Sequence, residues 1–158
     1  MLEEPTLRRA VEFAVETERL GAAFYVMLAE KFDDATDLVA IFTRLAKDEV
    51  AHERQFTELL DQIPEDPGDP DRHSDQLTML RIMSSSEFFV GEAGLDGQAE
   101  SIQTRKDAVE RAVRLEKDLL AFYLSMEEIL GENSILGAVI AAEKQHILEL
   151  GEYLMTRS

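Results

Sequence analysis

One segment of this chain occurs twice. Thr6-Leu-Arg-Arg-Ala-Val-Glu-Phe-Ala-Val-Glu-Thr-Glu18 aligns without gaps on Thr104-Arg-Lys-Asp-Ala-Val-Glu-Arg-Ala-Val-Arg-Leu-Glu116. The match continues at Ala23-Phe24-Tyr25 against Ala121-Phe122-Tyr123, and a similar offset lays Glu49 and His52 on Glu143 and His146. With only two copies, the pattern describes a pair of related helical hairpins and not a solenoid. At 158 residues the chain is read as one domain, long enough to bury a single sizeable core.

The hairpins can be traced from periodicity. Ala10, Phe13, Ala14, Thr17, Leu20, Phe24 and Leu28 recur at helical spacing, which predicts a first helix from about Thr6 to Phe32. Asp33-Asp34-Ala35-Thr36 offers turn and N-cap chemistry, and a second helix is expected to run to about Ile63. Pro64 to Ser74, with three more residues that break helices (Pro67, Gly68 and Pro70), ends it. A shorter helix is expected over Gln76 to Val90, with a break at Gly91 to Gly97. A third long helix should begin after Thr104, where Thr-x-x-Asp107 resembles a capping box, and end near Gly131. The last should follow a cap at Asn133 or Ser134 and reach about Met155. The expected fold is therefore all-α: an antiparallel four-helix bundle whose hairpins are joined by a long crossover containing a short extra helix.

Two of the three histidines sit in Glu-x-x-His pairs, Glu49-Val50-Ala51-His52 and Glu143-Lys144-Gln145-His146. Spacing of three puts both side chains of a pair on one helical face. Each pair has a lone upstream partner, Glu18 or Glu116, that interrupts an apolar stripe. In an antiparallel hairpin, residues equidistant from the turn lie level. The midpoint between Glu18 and Glu49 falls at Asp33-Asp34, and that between Glu116 and Glu143 falls beside the expected turn at Leu130-Gly131. Buried carboxylates are costly unless they are paired or bind metal. Four glutamates and two histidines on four helices make a ligand set for two metal ions.

Chemistry narrows the metal. Carboxylate oxygen plus imidazole suits iron or manganese and suits structural zinc poorly. Four carboxylates come close to neutralising two divalent cations. The absence of cysteine rules out iron–sulfur clusters, disulfides and thiol catalysis. A net charge of −17 argues against nucleic acid and against an anionic membrane surface as partners. No apolar run approaches the length of a membrane span. Met1 to Thr6 shows no basic region leading into an apolar stretch, so no signal peptide is expected and the cytoplasm is the expected compartment.

The patterns Glu18-Arg-x-Gly-x-x-Phe24-Tyr25, Leu45-Ala-x-Asp-Glu49-x-x-His52, Glu116-Lys-x-x-x-x-Phe122-Tyr123 and Glu143-x-x-His146 resemble those of the ferritin-like superfamily, most closely its rubrerythrin branch. The resemblance implies a ferritin-like bundle with a non-haem di-iron centre. Glu18 and Glu116 would be terminal ligands, Glu49 and Glu143 would bridge, and His52 and His146 would bind one metal each. It further implies oxidation of Fe(II) with reduction of hydrogen peroxide or dioxygen, an external electron donor, and a homodimer or larger homo-oligomer.

The chain departs from that pattern at definite places. A full rubrerythrin carries a Cys-x-x-Cys rubredoxin-like domain, which a cysteine-free chain lacks. The additional glutamate that rubrerythrins place three residues after the third-helix ligand is here Leu119. The six-ligand set is thereby nearer to a bacterioferritin-like ferroxidase centre. Val50 stands where bacterioferritin has its haem methionine, so haem is not expected. An iron-storage component with little turnover and a di-iron oxygenase acting on an organic substrate are the competing readings.

Other residues take more ordinary readings. Tyr25 and Tyr123 lie two turns past their ligand glutamates and are the near-site catalytic candidates. A core tyrosine bonded to a carboxylate across the bundle is favoured over a redox role. Asp48 and Glu53 flank the second-helix motif off its ligand face, and Asp48 is a candidate acceptor for an imidazole N–H. Asp118 is expected to be solvated and His73 exposed. Asp66 to Asp71 does not fit a calcium loop, and Ser84-Ser85-Ser86 has no partner for serine catalysis. Met79, Leu80, Met83, Phe88 and Phe89 should pack the crossover helix over the bundle or against a second subunit.

Overall fold

A computed structural model describes residues 6–64, 73–85 and 97–157. Four long helices dominate: α1 (Leu7–Lys31), α2 (Thr36–Leu60), α4 (Arg105–Leu130) and α5 (Ser134–Arg157). The crossover contributes α3 (Ser74–Ser85) and a further helical turn over residues 97–101. No strand occurs among the described residues. No helix is long and apolar enough to cross a membrane.

Each helix starts and stops for a local chemical reason. Thr6 caps α1, its Oγ1 accepting the Arg9 N–H at 3.1 Å. Thr104 and Asp107 complete a reciprocal capping box on α4, at 3.0 and 3.3 Å. Such caps contribute about 1 kcal/mol each. Asn133 serves α5, its Oδ1 accepting from the backbone of Ile135 and Leu136. Gly131 ends α4 at φ +78°, a conformation that a side chain would resist. Arg8 ties down the end of α2, its Nη1 donating to Leu60 O of the last turn at 3.1 Å and to Ile63 O, just beyond the helix, at 3.2 Å.

The sequence expectations differ from the structure at several edges. The α2 N-cap is Ala35, whose methyl side chain offers no acceptor, and within the first turn Asp37 Oδ1 accepts the Leu38 N–H at 2.9 Å. The α helix of the second segment stops at Leu60, and Asp61–Ile63 form turns. On the crossover, α3 begins at Ser74, two residues before the expected start, and the break expected at Gly97 is helical. His73, expected to be exposed, is half-buried with φ +61°, and its carbonyl accepts the Leu77 N–H at the entry to α3. The Asp66–Asp71 segment, Ser86, Phe88 and Phe89 lie outside the described residues.

Short connections make α1–α2 and α4–α5 antiparallel hairpins, and α2 packs on α5 while α1 packs on α4. The helix α3 covers α1 and α4. Leu80 is sealed there and Met83 packs against the core, whereas Met79 remains exposed. Phe24, Leu28, Leu38, Phe42, Leu45, Phe56, Leu115 and Phe122 fill the interior. At about 1.5–3 kcal/mol for each fully buried large apolar side chain, this layer is the main source of bundle stability. Arg44–Glu149 and Arg157–Asp37 tie α2 to α5 at the surface, where such pairs are worth little individually. An apolar groove lined by Ala22, Val26, Val39, Ala46 and Val50 runs along the outer face of α1 and α2.

Candidate metal centre

Among the described residues, the buried charged side chains gather in one cluster within the apolar interior. Glu18, Glu49, Glu116 and Glu143 are fully buried there, with His52 and His146 nearly so. They arrive from all four long helices, because each occupies the core-facing stripe of its helix. Their donor atoms form two overlapping groups, Glu18–Glu49–His52–Glu143 and Glu49–Glu116–Glu143–His146, each within 4.8 Å. Glu49 and Glu143 belong to both groups. The six residues singled out in the sequence are brought together in one place.

These atoms face one another without satisfying one another. Glu18 Oε2, both carboxylate oxygens of Glu49 and of Glu143, Glu116 Oε2 and the Nδ1 atoms of both histidines are buried and lack a hydrogen-bond partner. Nδ1 of His52 lies 2.9 Å from Glu143 Oε1, yet that approach does not have hydrogen-bond geometry. Its other neighbours are Glu18 Oε2 at 3.5 Å and Glu49 Oε2 at 3.9 Å. Nδ1 of His146 lies 3.4 Å from Glu116 Oε1, 3.5 Å from Glu49 Oε1 and 3.7 Å from Glu143 Oε2. An unpaired buried polar atom costs about 1–3 kcal/mol. A concentration of such atoms on a common centre is the arrangement that a bound cation resolves.

Electrostatics carry the same message. Burial and the neighbouring Glu143 charge push the Glu18 carboxyl up to about 7. Burial opposes charge on His52, but Glu143 and Glu18 outweigh it and raise the imidazole to about 9. His146 is likewise raised against its burial, by Glu143 and Asp48. Burial opposes ionisation of Glu143 too, yet His146 and His52 draw its carboxyl below the ordinary value. Without cations, the cluster retains protons.

The other carboxylate oxygens are held by the tyrosines, in a crossed pattern. Tyr25 Oη on α1 donates to Glu116 Oε1 on α4 at 2.5 Å, and Tyr123 Oη on α4 donates to Glu18 Oε1 on α1 at 2.5 Å. Both phenols are raised well above their ordinary value, Tyr25 by burial and then by Glu143 and Glu18, Tyr123 by burial and then by Glu18. They therefore stay protonated donors. Phe42 stacks on Tyr25 at 6.0 Å and Phe56 packs on Tyr123 at 4.8 Å, fixing both rings.

Two further residues touch this cluster. Asp48 Oδ2 lies 2.9 Å from His146 Nε2, so the residue beside Glu49 serves the histidine of the other hairpin. Gly21 packs against Glu49: a Cβ there would sit 3.4 Å from Glu49 Oε2. Gly21 was visible in the motif, but only the α1–α2 packing reveals its neighbour. Asp118 is exposed, as its position on α4 suggested.

A helical bundle with a carboxylate–histidine cluster sealed in its core defines the ferritin-like class with a di-iron type of site. The chain belongs to the rubrerythrin family, whose family model matches residues 10–152. No curated protein and no solved structure matches it.

Proposed function

We propose that Glu18, Glu49, His52, Glu116, Glu143 and His146 bind two ferrous ions and that the protein oxidises Fe(II) while reducing hydrogen peroxide or dioxygen. The observation that carries this reading is the set of buried, unpartnered oxygen and nitrogen atoms turned onto one centre. Glu49 and Glu143, common to both groups, are assigned the bridging role. Glu18 with His52 completes one position, and Glu116 with His146 completes the other. Four carboxylates balance the charge of two divalent cations, and hard oxygen ligands favour iron or manganese. Two ferrous ions held there would supply one electron each, enough to reduce one hydrogen peroxide to two waters with the uptake of two protons.

The chain's own groups prepare that chemistry. Tyr25 and Tyr123 each fix one oxygen of a terminal glutamate, which leaves the second oxygen directed inward. We assign them this orienting role. Phe42, Phe56, Phe24 and Phe122 surround the tyrosines and exclude bulk water. The groove on the outer face of α1 and α2 includes none of the six cluster residues in its lining, so it does not support an organic substrate at the centre.

The test is anaerobic loading with Fe(II), metal analysis, and single-turnover oxidation followed by absorbance. Two irons per chain and faster oxidation by peroxide than by dioxygen are expected. Many irons per chain in a large cage would favour storage. Failure to bind metal, or binding that survives Glu49→Ala unchanged, overturns the reading.

A further inference from the structure

The internal repeat makes every residue of one hairpin comparable with its counterpart in the other. Tyr25 and Tyr123 are equivalent and make equivalent bonds of 2.5 Å. Glu49 and Glu143 are equivalent, as are His52 and His146. The residue preceding the bridging glutamate is not. Asp48 stands in one hairpin and Ala142 in the other.

That difference falls on the histidines. Asp48 Oδ2 is 2.9 Å from His146 Nε2. An ionised carboxylate only accepts hydrogen bonds, so Nε2 must carry the proton. The tautomer is then set, and the lone pair of His146 is on Nδ1, the atom that faces Glu49, Glu116 and Glu143. By the repeat, the residue that would do the same for His52 is at position 142, where alanine has no acceptor. All contacts of His52 with carboxylates among the described residues are made through Nδ1. Among the described residues, no carboxylate holds its ring from behind or fixes its tautomer.

We propose that Asp48 is a positioning residue that makes the two metal positions unequal: the His146 position fills first and holds its ion, while the His52 position binds more weakly and exchanges. This rests on the dimetal reading given above. Carboxylates that hold a metal-binding histidine from behind commonly change metal affinity by about 10–100-fold, so a separation of that order between the two binding steps is expected. The protein would keep one resident ion and exchange the other.

The experiment is an anaerobic titration of the full-length metal-free protein with Co(II), which reports coordination through its visible absorption. Wild type should bind in two steps, the first placing cobalt beside His146 in an anomalous-scattering map recorded at one equivalent. Asp48→Ala should weaken the first step and leave the second, merging them. Asp48→Asn, which keeps an oxygen acceptor, should preserve part of the separation. Ala142→Asp should strengthen the second step and merge them from the other side. Two equal steps in wild type, first occupancy beside His52, or an Asp48→Ala effect equal on both steps overturns the inference alone. Absence of any bound cobalt overturns the dimetal reading and the inference with it.

Discussion

The hydroxyl of Tyr25 bonds at 2.5 Å to a carboxylate 91 residues away, that of Glu116, while Tyr123 returns the bond to Glu18. Each hairpin thus supplies the phenol that donates to a buried glutamate of the other. Burial keeps both phenols protonated, so the bond persists wherever the fold does.

Removing one hydroxyl leaves a buried carboxylate oxygen unpaired. Tyr25→Phe and Tyr123→Phe are each expected to destabilise the metal-free protein by about 1–3 kcal/mol, measured by urea unfolding. Both should still bind metal, with lower affinity, because the six ligand side chains remain. A variant as stable as wild type would show that the crossed bonds contribute nothing.

The protons retained by the cluster set a pH dependence. His52 has a folded value of about 9, above its ordinary 6.5, so its contribution is complete below 6.5 and lost as pH rises through 9. Glu18, raised from 4.5 to about 7, has the same sign: its contribution is lost as pH rises through 7. The metal-free protein should become less stable from about pH 5 to pH 9. Over the same interval metal affinity should increase, because fewer protons must be expelled. Chemical denaturation and Co(II) titration at several pH values test the two halves, and a stability that climbs toward pH 9 would contradict the assignment. Glu143, depressed in the fold, acts with the opposite sign and only in the acid range.

Gly21 makes a graded prediction. A methyl group at 3.4 Å from Glu49 Oε2 is an ordinary contact, and alanine favours a helix interior over glycine by up to about 1 kcal/mol. Gly21→Ala should therefore be neutral or stabilising in thermal unfolding and should retain metal. Gly21→Leu, which copies the counterpart Leu119, must displace Glu49. It should lose most metal binding while its circular dichroism stays helical.

Arg8 offers a test remote from the centre. Its guanidinium holds the Leu60 carbonyl that ends α2 and the Ile63 carbonyl of the following turn. Arg8→Met, which keeps much of the apolar stem, should lower stability by about 1 kcal/mol without changing metal stoichiometry. A change in stoichiometry would mean that the end of α2 governs the placement of Glu49 and His52.

Much of this architecture was legible because glutamate and histidine sit in otherwise apolar stripes, where a charged residue needs a reason. The equal-height argument also fits the first connection, whose centre is Asp33-Asp34 in the structure. It fits the second less well. The chain runs further from Glu116 to the Gly131–Asn133 connection than from there to Glu143, so that connection is not a symmetric turn. What could not be read was pairwise and tertiary. Asp48 was a plausible acceptor, but which histidine it serves depends on α2 packing against α5. Likewise, Asp33-Asp34-Ala35-Thr36 offers several polar side chains for a cap, yet the chain enters α2 at Ala35, the one residue of the four without a side-chain acceptor.

Joining two related hairpins by the crossover through α3 has a further consequence. A dimer of one identical hairpin would have to repeat every substitution on both sides of its axis, so Asp48 could not have alanine as its counterpart, nor Gly21 leucine. A covalent connection removes that obligation. Each half can be altered while its counterpart keeps the original residue, and an approximately symmetric cavity can then treat two chemically identical ions differently.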